Sequence, residues 1–423
     1  VPLKVPADRP GEASMRQRLR NIGPGIVIAA TGLGAGDLIA ASVAGAKYGT
    51  ALLWAAVIGA VMKFALNEGL ARWQLATGTT LLEGWVHRLP RIISIYFFIY
   101  LLLWTFVVAG ALIAATGLAA HAIYPGLSVE QWGTTHSLLA LVLVLTGRYA
   151  LLETVMKLFI ALMLAVVMIC AVLVLPDAGD IMESLLIPSI PEGSTLFIFG
   201  VIGGVGGSVT LLCYGYWIRE RGWKQPADMA QSRVDLAAAY IPTGLFGIAV
   251  MIIAAGVNPE VITGEKMALS IAHHLETIVG PVGMWCFLIG FWSAVFSSML
   301  GVWQGVPYIF ADFVEQYVHR PDTPSRVNTR SLAYRGYLLY IAVPPMLLLQ
   351  VIEGPVWMVI LYSVAGAFFM PLLAGVLLYM NNRRDWVDGL RNGVLANILL
   401  LVSLLVFGLL LADKLAGFWQ SGS

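Results

Sequence analysis

The sequence predicts an all-α polytopic membrane protein, and three observations support this fold class. Of the 423 residues, 59% are hydrophobic and only 12% are charged, which leaves too few polar side chains to cover a soluble domain of this size. Apolar segments of about 20 residues, each long enough to cross a bilayer as a helix, recur along the chain. Basic residues are concentrated in alternate connections between these segments, as the positive-inside rule requires.

Counting about 20 residues per crossing, we predict eleven membrane-spanning helices. Basic residues precede the first of them, so residues 1–22 are expected to form a cytosolic tail and not a signal peptide. The predicted spans lie near residues 24–48, 50–77, 92–123, 135–147, 152–175, 194–217, 233–256, 279–311, 332–350, 355–380 and 391–414.

The distribution of basic residues also predicts the orientation of the chain. Arginines follow the even-numbered spans, whereas the opposite connections contain little beyond Lys47 and Lys266. The N-terminus is therefore expected in the cytoplasm and the C-terminus outside. We expect an integral protein of a bacterial inner (plasma) membrane, with the lipid bilayer as its partner; the sequence leaves the oligomeric state open.

Two of the predicted spans are interrupted by glycine, at residues 31–38 (TGLGAGDL) and 203–208 (GGVGGS). In a bilayer, backbone leaves the helical path only where it is buried in protein or lines a polar cavity. Interruptions at matching positions in two halves of a chain are typical of a substrate site between inverted repeats. The pair therefore predicts a transport site.

The first interruption supplies Gly34, Ala35 and Asp37 as candidate binding residues. An aspartate near the middle of a span costs about 2.5 to 3.5 kcal/mol to insert, so such an acid usually has a function. Asp37 is accordingly a candidate metal ligand or proton carrier. The alternative is a structural acid that forms a salt bridge or lies nearer the outer surface.

The second interruption contains no charge and offers backbone carbonyls and hydroxyl groups. Exposed carbonyls at the end of a broken helix attract cations. Glycine also permits close helix packing, so the alternative is a packing groove. The candidate binding residues here are Gly204, Gly207, Ser208, Thr210 and the nearby Tyr214.

Lys63 lies near the middle of the second predicted span, with Glu68 nearby. A buried lysine must pair with a carboxylate or lose its proton, so Glu68 and Asp37 are its candidate charge partners. If Lys63 pairs with Asp37, the site is neutral and poorly suited to a divalent cation. The alternative is a structural lysine paired within its own helix.

Ser297 and Ser298 lie halfway along the eighth predicted span and are candidates for a coupling-ion site. The alternative is that these hydroxyls bond to their own helix backbone. The sequence contains no hydrolytic triad, phosphate loop or metal-binding helix motif. We therefore expect no enzymatic activity, no cofactor and no nucleic-acid partner.

The segments 23–25 (GPG), 44–49 (AGAKYG) and 75–78 (LATG) closely resemble the opening of the Nramp family of divalent-metal transporters. The resemblance implies a LeuT-like fold of the APC superfamily, with two inverted five-helix repeats and an eleventh helix. In this chain the repeats would occupy residues 23–175 and 194–380, and the eleventh helix residues 391–414.

The chain departs from this family where the family binds metal. Residues 34–37 (GAGD) stand where the family has Asp-Pro-Gly-Asn, and residues 207–209 (GSV) stand where it has Met-Pro-His. The thioether, a soft ligand, is therefore absent, and oxygen-only sites suit magnesium, calcium or manganese. The family also carries acids of a proton route in its third helix, where residues 107–115 are wholly apolar here.

The resemblance implies an Nramp-related secondary transporter that works by alternating access. We expect its substrate to be a hard divalent cation, magnesium or manganese, with weak selectivity for transition metals and no proton route of the family type. Two alternatives remain open: a relative that carries a small organic solute, and a non-transporting membrane protein on the same fold.

Overall fold

The computed structural model describes residues 23–25, 35–147, 150–175, 178–204, 208–257, 267–318, 327–351 and 354–421. Within these ranges the chain forms helices joined by short turns, and no strand occurs. The predicted all-α fold class is therefore confirmed.

In the described part of the first half, from residue 35 onward, the chain forms seven helices. Their bounds are α1 (Ala35–Tyr48), α2 (Leu53–Thr77), α3 (Leu81–Arg88), α4 (Arg91–Ile123), α5 (Val129–Thr146), α6 (Ala150–Leu173) and α7 (Ala178–Leu186). Helix α3 begins with a capping box, in which the Thr80 hydroxyl accepts the Glu83 N–H and the Glu83 carboxylate accepts the Thr80 N–H.

The second half begins with two short helices, α8 (Thr195–Gly204) and α9 (Cys213–Glu220), that lie in one predicted span and are separated by non-helical backbone at Ser208. The helices that follow are α10 (Met229–Ala254), α11 (Met267–Val279), α12 (Pro281–Val318), α13 (Leu332–Ala342), α14 (Leu348–Val351), α15 (Pro355–Ala367), α16 (Phe369–Met380), α17 (Arg384–Val387) and α18 (Val394–Ser421).

The described residues of each of the eleven predicted spans are largely helical. Seven helical segments there are long and apolar enough to cross a membrane, and three shorter apolar helices, Leu38–Tyr48, Ile160–Leu173 and Val394–Leu409, lie in further predicted spans. The fourth span begins earlier than predicted, because a capping box between Ser128 and Gln131 starts α5 at Val129.

Glycines allow several of these helices to pack backbone to backbone. A β-carbon built on Gly45 of α1 would lie 2.3 Å from the carbonyl oxygen of Met251 in α10. One built on Gly117 of α4 would lie 2.0 Å from the carbonyl oxygen of Val129 in α5. Small residues at such crossings allow membrane helices to approach closely enough for extensive van der Waals contact.

We predict that the N-terminal tail is cytoplasmic and the C-terminus external. Single cysteines placed at Ala7 and Ser421 test this in a Cys286→Ser background, because Cys286 is partly exposed whereas Cys170 and Cys213 are buried. A membrane-impermeant maleimide should label position 421 in intact cells and position 7 only after permeabilisation. Labelling of both positions from the same side would contradict the count of eleven spans.

Candidate functional site

The second glycine-rich segment interrupts a helix, as its sequence predicts. Helix α8 ends at Gly204, and the chain next described is Ser208, whose φ of −135° and ψ of −95° are not helical. A tight turn, Val209–Leu212, which includes the buried Thr210, then leads into α9. Gly207 lies outside the described residues.

Ser208 places an unused hydroxyl at this break. The side chain is 1% exposed, and within the described residues its Oγ has no hydrogen-bond partner. Buried hydroxyl groups nearly always have a partner. The carbonyl oxygen of Ser208 accepts the N–H of Leu211, whereas the hydroxyl makes no such bond within the described residues.

The first glycine-rich segment is described only from Ala35, where α1 begins. Gly34 and the side chains of Ala35 and Asp37 lie outside the described residues. The backbone of Asp37 lies in the first turn of α1, at the helix end where the macrodipole stabilises a negative charge. The metal-binding role of Asp37 stays a prediction.

Helices α1 and α8 pack side by side. A β-carbon on Gly200 of α8 would lie 3.6 Å from the β-carbon of Ala40 in α1. Helix α15 covers the second break, since a β-carbon on Gly366 would lie 3.0 Å from both the Cβ and the Oγ of Ser208. Ser208 is therefore enclosed by protein, as a non-helical backbone inside a bilayer must be.

Lys63 reaches this break from α2. Its side chain is fully buried, at 0% exposed, and its Nζ donates a hydrogen bond of 3.1 Å to the carbonyl oxygen of Gly203. Gly203 lies in the last turn of α8, where the macrodipole places partial negative charge. The ammonium group thus binds the carbonyl at the described end of α8.

Glu68, one predicted partner of Lys63, instead belongs to a separate ionic cluster. Its Oε1 accepts hydrogen bonds from Arg72 Nη2 at 2.6 Å and from Arg233 Nη2 at 2.9 Å. Arg72 also donates to the carbonyl oxygens of Leu390 and Arg391. This cluster ties α2 to α10 and to the turn before α18.

Tyr214 lies in α9, and its hydroxyl bonds to residues of α10. The hydroxyl donates to Asp235 Oδ2 at 3.0 Å, and Asp235 also accepts the backbone N–H groups of Gly23 and Gly25 at 2.8 and 2.6 Å. A β-carbon on Gly25 would lie 2.2 Å from the carbonyl oxygen of Asp235. Asp235 therefore anchors the start of the first span.

A second buried carboxylate was also missed by the sequence analysis. Asp312 of α12 is 1% exposed and accepts hydrogen bonds from Tyr216 at 2.5 Å and from Gln316 at 3.3 Å. Gln316 Oε1 lies 3.0 Å from Nε2 of His87. For both Asp235 and Asp312 the available signal was an acid at or within a predicted apolar span, the same signal that selected Asp37.

The remaining candidates are buried in α12. Ser297 and Ser298 are 7% and 5% exposed, and Ser293, one turn earlier, has no hydrogen-bond partner for its Oγ within the described residues. The described part of the chain contains no group of three or more His, Cys, Asp or Glu side chains that could hold a metal ion. The ion-coupling role of the two serines stays a prediction.

Solved structures of similar fold are membrane transporters. A manganese transporter of Eremococcus coleocola, crystallised with an aromatic bis-isothiourea substituted compound, is 15% identical, with a TM-score of 0.72 over 99% of this chain and 90% of that chain. MhsT in complex with L-phenylalanine is 14% identical, with a TM-score of 0.60 over 96% of this chain and 99% of that chain. These likenesses show the LeuT-like fold.

The sequence itself identifies the family. No curated protein matches the chain significantly. Residues 25–415, however, match the Nramp family, described as natural resistance-associated macrophage protein-like. Because this match spans most of the chain, the protein belongs to the Nramp family of membrane transporters.

Proposed function

We propose that the protein is a secondary transporter that moves a hard divalent cation, magnesium or manganese, by alternating access. The observation that carries this proposal is the buried carbonyl of Gly203 at the end of a broken helix, enclosed by α1, α2 and α15. Broken helices of this kind form the central substrate and ion sites of LeuT-like transporters.

The donors near the break favour a hard ion. They are the carbonyl of Gly203, the unused hydroxyl of Ser208 and, by our proposal, the carboxylate of Asp37. Magnesium, calcium and manganese prefer such oxygen ligands, whereas later transition metals favour sulfur and nitrogen. The likeness to a manganese transporter supports the same class of substrate.

The ammonium group of Lys63 already places a positive charge at this site. Two unit charges 4 Å apart repel by about 4 kcal/mol at an effective dielectric constant of 20, and a divalent ion doubles that repulsion. The ammonium group and the ion therefore exclude each other from the Gly203 carbonyl. We propose that the metal displaces Lys63 when it binds and that Lys63 returns when the metal leaves.

The same lysine favours a second candidate function, the transport of a small organic solute that carries a carboxylate. The buried ammonium of Lys63 and the N-terminal end of α1 both attract an anion. Under this alternative Lys63 is a ligand of the substrate and not its competitor.

We propose that transport uses no proton route of the family type. The corresponding segment 107–115 lies in α4, and its side chains are apolar. We further propose that residues 23–175 and 194–380 form the two inverted repeats. We also propose that the N-terminus is cytoplasmic and that the protein lies in a bacterial plasma membrane.

Calorimetric titration of the purified protein tests the choice of ion. We expect manganese to bind, cadmium to bind no more tightly than manganese, and Asp37→Asn to weaken manganese binding by at least about tenfold, because a charge-assisted ligand is lost. Asp180→Asn, which changes an exposed aspartate of α7, is the matched control. Tight cadmium binding that survives Asp37→Asn and disappears with Cys213→Ser would mean that sulfur is the true ligand.

A further inference from the structure

An apolar groove runs along the outer face of the molecule between α2 and α10. Its volume is about 420 Å³, and it is lined by Val57, Val61 and Phe64 of α2 and by Ala237, Ile241 and Ile248 of α10. Val57, Val61 and Ile241 are exposed. The groove therefore opens to the surroundings of the membrane-spanning segment, where the molecules in contact with it are lipids.

The floor of the groove is made by small residues. Gly244 of α10 packs against Ala60 of α2, with 3.0 Å between the Ala60 Cβ and a β-carbon built on Gly244. Larger side chains at these two positions would fill the depression. The shape is thus fixed by two helices that cross closely.

One end of the groove is basic. Arg233 lies one helical turn before Ala237, on the same stripe of α10 that lines the groove. Glu68 lies one turn after Phe64 on the facing stripe of α2 and holds Arg233 through its Nε and Nη2 at 3.0 and 2.9 Å. The Arg233 side chain is still 52% exposed, which leaves its Nη1 group available to a ligand.

The charge at this end is positive. Glu68 accepts from both Arg72 and Arg233, so one carboxylate faces two guanidinium groups and one positive charge remains. Arginine binds phosphate well, because its planar fork of donors matches the phosphate oxygens.

The length of the groove matches one leaflet of a bilayer. From Ala237 to Ile248 the rise along α10 is about 16 Å at 1.5 Å per residue. Half of the hydrocarbon core of a bilayer is about 15 Å thick. A lipid with its phosphate at Arg233 would therefore extend its acyl chain to the end of the groove.

We propose that this groove is a binding site for an anionic phospholipid of the leaflet at the Arg233 end, which the positive-inside rule predicts to be cytoplasmic. The acyl chain lies between α2 and α10, and the phosphate accepts hydrogen bonds from Arg233. A zwitterionic lipid carries its own cation beside the phosphate and gains less from the positive charge.

Native mass spectrometry of the full chain in detergent tests the proposal, with phosphatidylglycerol and phosphatidylcholine of identical chains as probes. The first phosphatidylglycerol should bind about fivefold more tightly than the first phosphatidylcholine, as expected for one arginine at a membrane surface. Arg233→Gln should remove this preference. Ala237→Phe, which fills the groove, should weaken both lipids alike.

Arg330→Gln is the matched control, because Arg330 is an exposed arginine in a loop remote in sequence from the groove; it should keep the preference. The comparison of two lipids within each variant cancels any change in protein stability. Equal binding of the two lipids to the native chain would overturn the proposal. So would a preference that survives Arg233→Gln, or one that Arg330→Gln also removes.

Discussion

Replacing Lys63 by methionine should raise the affinity for magnesium and manganese by at least about tenfold. The ammonium group of Lys63 donates a hydrogen bond to the carbonyl of Gly203 and repels an incoming divalent ion. Its removal relieves this repulsion. A tenfold gain in affinity corresponds to only about 1.4 kcal/mol of that repulsion. Methionine keeps most of the volume of the buried side chain. Calorimetric titration of the purified variant measures the change.

Lys47→Met is the matched control, because Lys47 is an exposed lysine at the C-terminal end of α1. This change should leave the affinity for the divalent ion unchanged. Removal of Lys63 also leaves any nearby carboxylate without its cation, which destabilises a buried site. We therefore expect Lys63→Met to lower the unfolding temperature and the further change Asp37→Asn to restore it. An unchanged affinity in Lys63→Met, with the protein folded, would show that the ammonium and the metal do not compete.

Replacing Gly45 by alanine should destabilise the protein by about 1 to 3 kcal/mol. The added β-carbon would lie 2.3 Å from the carbonyl oxygen of Met251, and a backbone group can yield only if α1 and α10 move apart, as in other overpacked cores. Because α1 adjoins the first predicted break, transport should fall as well. Thermal unfolding in detergent measures the loss of stability.

Gly336→Ala is the control for this change. Gly336 lies within α13, and a β-carbon there would meet no atom within 4 Å. Since alanine favours helix over glycine by about 1 kcal/mol, this variant should be neutral or slightly more stable. Equal unfolding temperatures for Gly45→Ala and the native chain would contradict the close crossing of α1 and α10.

The fold could be predicted from the sequence because its determinants are local. Apolar segments mark the long helices, and the glycine run at 203–208 coincides with the interruption after α8. These signals lie within about 20 residues of the structure they specify. The start of α5 was placed too late because the capping box of Ser128 and Gln131 precedes the apolar run.

The partners of the buried charges could not be predicted in the same way. Lys63 and Gly203 are 140 residues apart, and Asp235 and Gly25 are 210 residues apart. Such pairs depend on how the two halves of the fold pack against each other. Local sequence patterns contain no information about that packing. Sequence spacing suggested Glu68 for Lys63, but the guanidinium groups of Arg72 and Arg233 surround that carboxylate.

Uptake into proteoliposomes tests the central claim, that a divalent cation is carried at the break between α8 and α9. The native chain should accumulate manganese in a saturable manner, magnesium should compete, amino-acid-like solutes should not, and Asp37→Asn should abolish uptake. A divalent cation is not the substrate if manganese uptake equals that of protein-free liposomes while a carboxylate-bearing solute accumulates and Lys63→Met stops that accumulation.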